Sequence, residues 1–196
     1  MEKDWIKLLT HGNTKPFINK ENKYQSEFFS QKFSPSLMKV LQLKGLNLTF
    51  KRIESDTLFG ADIAHLTPRS LLMPFHFGEY GLIGWVSLSE NFVELALHRL
   101  LGGSSVTELS VAERPLSPLE KTTLKQLNSP FEVSIREGLK GLLGIHSAVI
   151  GNPWERLDLE RELATGESYF CETFLYEEGP VLTPLQVFLR VSPFNP

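Results

Sequence analysis

Two short apolar runs, Leu71 to Phe77 and Leu82 to Leu88, are separated by a turn holding Gly78 and Gly81, and the second leads straight into a helix start at Ser89. This arrangement constrains the fold more than any other feature of the chain. Apolar runs bounded by glycine predict strands, and the glycine turn predicts an antiparallel hairpin. Ser89 suits an N-cap, and Glu90 in the first turn complements the helix dipole. Phe92, Val93, Ala96, Leu97, Leu100 and Leu101 then form one apolar stripe, and Gly102 supplies the stop. A hairpin that feeds an amphipathic helix calls for a mixed α/β domain, in which helices pack on a mostly antiparallel sheet.

The remaining segments fit that frame. Residues 1–23 are polar and broken by Gly12, Asn13, Pro16 and Asn19, which predicts a mobile N-terminal arm ahead of one domain over 24–196. From Tyr24 to Leu43 the apolar spacing predicts helices interrupted near Pro35, with Ser34 as cap and Pro35 at the first helical position. Leu46, Leu48 and Phe50 alternate as in a strand, and a connecting stretch is expected from Leu58 to Leu66. Ser117-Pro118-Leu119-Glu120 carries a capping box, followed by Leu119, Leu124 and Leu127 at roughly helical spacing. The pattern recurs at Ser129-Pro130-Phe131-Glu132, so a kink or break is expected near Pro130. Ser168 to Tyr176 and Leu185 to Val191 read as strands joined by a turn around Glu177-Glu178-Gly179-Pro180. Strands and a helix pair occur in each half, a coarse pseudo-duplication.

Composition narrows the function classes. The chain has 196 residues and one cysteine, Cys171, so no internal disulfide can form and no paired-cysteine zinc site exists. Cys171 lies in a strand-like run and reads as a buried, inert thiol. The 14 phenylalanines indicate an aromatic core, a sticky face, or both. No signal peptide or membrane-spanning run is visible, and a cytoplasmic location is expected. Residues 1–50 carry a net charge of +4 and the rest −7. An acidic globular part disfavours nucleic-acid binding, which wants a basic face. The basic arm reads as a solvated tail, or as a contact for an anionic surface.

No local grouping looks catalytic. The five histidines, His11, His65, His76, His98 and His146, never pair at helical spacing, and no metal motif occurs. His98, one turn after Glu94, reads as a helix-surface hydrogen bonder. Alternation places His76 on the strand face opposite Phe75 and Phe77, exposed to solvent. Asp158, Glu160 and Glu162 would share one face of a strand, where solvent exposure explains them more cheaply than a metal. The pair Gly102-Gly103 lacks the Lys-Ser/Thr of a phosphate loop. No cofactor is expected.

The run LLMPFHFGEYGLIGWVSLSENFVELALHRLLGG, followed by ERPLSPLEKTTLKQL, resembles the middle domain of the flagellar motor switch protein FliM in order and separation of elements, and the likeness extends over about residues 24–192. It implies a CheC/FliM-middle-like, pseudo-symmetric α/β domain. It also implies a non-enzymatic scaffold subunit of a flagellar motor switch, the C ring. Gly102, Gly103, Ser104 and Ser105 match the glycine loop that meets the middle domain of FliG in that family, with Ser105 in place of its last glycine; the plainer reading is that Gly102 and Gly103 only end a helix. Implied partners are FliG-like and FliN-like switch proteins, a CheY-like response regulator, and neighbouring copies in a ring at the cytoplasmic face of the inner membrane. The related CheC and CheX phosphatases carry a glutamate and, three residues on, an asparagine. Here Glu120 matches the first, but Thr123 stands in the second place and cannot present an amide. Asp4-Trp5-Ile6-Lys7-Leu8-Leu9 only echoes the family's acidic CheY-binding motif, and Lys7 has the opposite sign. No segment up to Pro196 reads as the SpoA domain that joins FliM to FliN in the family, so a subunit lacking that domain is expected. A cytoplasmic-ring subunit of type III secretion and a CheC-like phosphatase stand as the alternative functions.

Overall fold

A computed structural model of the chain describes residues 20–60, 63, 71–76, 82–104, 115–143, 149–151 and 168–190. Among them, helix α1 spans Lys20–Gln42, β1 Thr49–Phe59, β2 Leu71–His76 and β3 Leu82–Leu88. Helix α2 spans Glu90–Leu100, α3 Pro118–Leu124, and a 3-10 turn at Lys125–Leu127 leads into α4, Asn128–Leu143. Strands β4, Val149–Ile150, β5, Ser168–Glu178, and β6, Val181–Arg190, complete the order.

The strands form one six-stranded sheet in the order β1-β5-β6-β3-β2-β4, and every neighbouring pair is antiparallel. The hairpins β2–β3 and β5–β6 meet at the centre, where Val86 lies opposite Val187, and one edge strand flanks each hairpin. This is the pseudo-symmetric layout expected from the two halves of the chain. At the central seam Gly84 faces the Phe188 backbone so closely that a Cβ there would overlap the Phe188 carbonyl.

One face of the sheet carries the main core. Phe29, Phe33, Leu37 and Leu41 recur every four residues on α1 and are fully buried with Phe131, Ile135 and Leu139 of α4 and with Phe75, Phe174, Tyr176 and Leu185 of the sheet. Helices α1 and α4 pack closely because Gly138 leaves room for the Phe29 ring. The other face holds a smaller cluster, in which Trp85 stacks on Phe188 at 5.1 Å and meets Tyr169 edge-on at 4.8 Å. Among the described phenylalanines, Phe29, Phe33, Phe75, Phe92, Phe131, Phe174 and Phe188 belong to the core, whereas Phe50 is exposed.

Five expectations change. Helix α1 begins at Lys20, inside the stretch 1–23 expected to be a mobile arm. Helix α1 is continuous through Pro35, and Ser34 is no cap: its hydroxyl accepts from the Tyr176 phenol at 3.1 Å. A mid-helix proline costs roughly 3 kcal/mol. Burial is worth roughly 1.5–3 kcal/mol for each side chain of the Phe29–Leu41 stripe, so the continuous helix wins. Strand β1 begins at Thr49 and runs to Phe59, past the expected connection at Leu58, because it pairs with β5 along its whole length. The break expected near Pro130 occurs slightly earlier than Ser129: the chain turns through the 3-10 segment Lys125–Leu127 and enters α4 at Asn128, with Pro130 in its first turn where no hydrogen bond is lost. Leu119 is 68% exposed instead of lying on the α3 stripe. Its five-residue offset from Leu124 turns it roughly 140° away around the helix.

Residues 1–19, Gly78, Gly81, Asp158, Glu160 and Glu162 lie outside the described residues, as do His11, His65, His146 and Phe77.

Candidate partner-binding loop

Helix α2 is fixed at its start by Ser89, whose Oγ accepts the Phe92 N–H at 3.3 Å. Its first residues are also tied to β6: the Ser89 N–H donates to the Pro184 carbonyl at 3.3 Å, and Asn91 Nδ2 donates to the Leu182 carbonyl at 3.0 Å. Phe92, Val93, Leu95, Ala96 and Leu97 bury the inner face. The helix ends as its glycine predicts. The Leu101 N–H donates to Leu97, Gly102 N–H to Arg99 and Gly103 N–H to His98, the last at 2.8 Å. Gly102 sits at φ +91°, a conformation that suits glycine.

The last turn of α2 then grips the loop it has produced. His98 Nε2 donates to the Ser104 carbonyl at 2.9 Å, and Arg99 Nη1 donates to the Gly103 carbonyl at 3.4 Å. The other arm of the Arg99 guanidinium makes an ion pair with Glu178 at the end of β5. Gly103 is packed against the His98 ring, and any Cβ there would overlap it. Gly102, by contrast, faces open space. Leu101, expected on the buried stripe, is the C-cap residue and is 60% exposed. Past the last helical turn its side chain no longer faces the sheet.

The structure thus brings Gly102, Gly103 and Ser104 together in one exposed turn, held by His98 and Arg99; Ser105 lies outside the described residues. Sequence reading found the glycines but assigned His98 no partner beyond its own helix surface, and it overlooked Arg99. Nothing local announces the contact with Glu178, which is 79 residues away in the chain.

The other candidate groups are committed elsewhere. The Glu120 carboxylate accepts the Ser117 N–H at 2.7 Å, while Ser117 Oγ accepts the Glu120 N–H at 3.3 Å, so the glutamate closes its own helix cap. Thr123 is buried. His76 is half-buried, not exposed, at the end of β2 where the ladder bulges between Phe75 and His76. Cys171 is buried against the aromatic cluster, and burial, opposed by a Thr173 hydrogen bond, pushes its pKa up to about 12. Burial likewise raises the Tyr176 phenol, with the Ser34 hydrogen bond opposing. Among the described residues no group of His, Cys, Asp or Glu could hold a metal, and no helix is long and apolar enough to cross a membrane.

The architecture is that of the CheC-like α/β domains, an antiparallel sheet with long helices on it. Within that class it has the FliM-middle fold. A FliG–FliM complex from H. pylori matches with a TM-score of 0.70 at 14% identity, covering 89% of this chain and 96% of that one. A FliM middle domain from Vibrio alginolyticus matches with a TM-score of 0.63 at 11% identity, covering 86% and 94%. Thermotoga maritima FliY matches with a TM-score of 0.66 at 15% identity, covering 89% and 92%. No protein-family model and no curated protein sequence matches the chain.

Proposed function

We propose that the chain is a non-enzymatic scaffold subunit of a flagellar motor switch, binding a FliG-like partner through the turn Leu101–Ser104. The observation that carries this reading is the turn itself. On a FliM-middle fold, in the segment whose sequence resembles the family's glycine loop, an exposed leucine and an open glycine are presented by a helix end that is hydrogen-bonded into one shape. A preshaped loop loses little entropy on docking, which favours affinity from a small surface. Neighbouring copies and a FliN-like subunit complete the assembly in this reading, at the cytoplasmic face of the inner membrane, and a CheY-like regulator is its control input.

Phosphatase chemistry is the weaker alternative. Glu120 is engaged by the Ser117 N–H, and Thr123 faces the core. A secretion-ring role differs in partners rather than in physics. Titrating the chain with the middle domain of a FliG-like protein from the same genome tests the main reading, and affinity purification from native cells separates it from the secretion ring. Saturable binding, with FliG- or FliN-like subunits recovered, supports the switch. Recovery of an export ATPase and its stator instead moves the chain to a secretion apparatus.

A further inference from the structure

Arg99 touches two segments that the fold brings together from distant parts of the chain. One guanidinium nitrogen reaches the Gly103 carbonyl at 3.4 Å, and another pairs with the Glu178 carboxylate. The pair is largely sheltered, with 15% and 11% of the two side chains exposed. Glu178 is the last residue of β5 and lies opposite Val181 across the two-residue tip Gly179-Pro180. We propose that Arg99 is the positioning residue that joins the glycine loop to the β5–β6 hairpin tip, so that the two meet a partner as one docking surface. This rests on the reading of the loop as a partner site.

Three further observations support it. The start of α2 is already tied to the same hairpin through Ser89 to Pro184 and Asn91 to Leu182, so Arg99 closes a frame of helix, loop and hairpin. Four of the loop's main-chain groups are used inward: Gly102 N–H, Gly103 N–H, Gly103 carbonyl and Ser104 carbonyl all have partners within the turn. Beside the exposed His98 and Ser104, the frame offers apolar groups outward, namely Leu101 at 60% exposure, Leu182 at 45% and the exposed Pro180. Leu101 lies two residues after Arg99, and Pro180 two residues after Glu178, so each member of the sheltered ion pair is followed closely in the chain by an exposed apolar residue. The partner that fits is a protein surface presenting apolar side chains, docking without accepting from the Gly102 or Gly103 N–H groups, which are already engaged. The planar fork of arginine is needed because one group must hold a carboxylate and a carbonyl at once, and a lysine is a single point charge.

The test uses the full chain and reads two quantities, amide hydrogen exchange at Gly102 and Gly103, and affinity for the FliG-like middle domain. Arg99→Lys keeps the charge opposite Glu178 but gives up the fork, and Glu178→Gln keeps the shape of the hairpin but gives up the charge. Both are expected to raise loop exchange about tenfold and to weaken binding about tenfold, and Glu178→Gln, which leaves the sheltered guanidinium without its carboxylate, also lowers the unfolding midpoint while the chain stays folded at room temperature. Pro180→Asp is expected to weaken binding by a similar factor while leaving loop exchange alone. Unchanged loop exchange in both Arg99→Lys and Glu178→Gln overturns the positioning role, whether or not a partner binds. Normal affinity in Pro180→Asp, when Leu101→Asp binds poorly, removes the hairpin from the surface and leaves the loop reading standing. Normal affinity in both Pro180→Asp and Leu101→Asp overturns the loop reading itself.

Discussion

The imidazole of His98 occupies the space that a side chain on Gly103 would need. Glycine at 103 therefore lets the His98 ring keep its place, while glycine at 102 is favoured by its backbone angle of φ +91°. A large residue at Gly103 is consequently no clean probe of a surface, because it first displaces His98 and breaks the bond to the Ser104 carbonyl. Gly103→Ala is expected to weaken partner binding with only a small fall in melting temperature, because the exposed His98 ring can swing into solvent. The double variant Gly103→Ala, His98→Ala restores the space but not the hydrogen bond. It should recover loop exchange protection only in part, as read by amide exchange at Ser104.

Gly102→Ala meets no neighbour but must hold a left-handed backbone. The expected cost is about 1–2 kcal/mol, or roughly 2–8 °C in melting temperature for a domain of this size. Gly102→Asn should cost less, since asparagine tolerates that region. Thermal unfolding of the two variants side by side checks the order.

Glu120 acts within its own helix cap. Glu120→Ala removes the carboxylate that accepts the Ser117 N–H, and a lost cap is worth about 1 kcal/mol. The variant should melt lower by a few degrees, on the order of 2–4 °C, with no change in phosphate release from a phosphorylated response regulator over the background rate. A Glu120-dependent phosphatase rate would overturn this assignment.

Cys171 should be silent toward thiol reagents in the native state. Burial raises its pKa to about 12, so thiolate is scarce at neutral pH and access is blocked. The sign for stability follows: the native state holds the proton more tightly than the unfolded chain, so the contribution is intact below the ordinary thiol pKa and is lost as pH rises toward 12. Labelling with a chromogenic disulfide should be slow in buffer and fast in denaturant, and Cys171→Ser should flatten the alkaline loss of stability.

Much of this fold is legible where local chemistry decides it. Ser89 and the box at Ser117 and Glu120 cap the helices their residue types announce, and both hairpins form where glycine sits between apolar runs. Sequence reading errs where tertiary burial outweighs a local preference. Pro35 stays inside α1 because the Phe29–Leu41 stripe crosses it and is buried on both sides. Strand β1 hides behind Lys51, Glu54 and Asp56, exposed residues that blur its alternation. At the candidate site the glycines are visible as a helix stop, and the family likeness points to them. The exposure of Leu101 is not visible, since it shares the spacing of the buried stripe, and the grip of Arg99 on Glu178 depends on two segments that only the folded sheet brings together.

The most direct test of the central claim is the affinity of the folded chain for a FliG-like middle domain, measured for the wild type and for Leu101→Asp. Leu101 is 60% exposed, so the charge should leave stability nearly unchanged. The account predicts saturable wild-type binding that weakens at least about tenfold in the variant, a change of roughly 1.4 kcal/mol. Equal affinity for both chains, or no binding by a wild type that is shown to be folded, would contradict it.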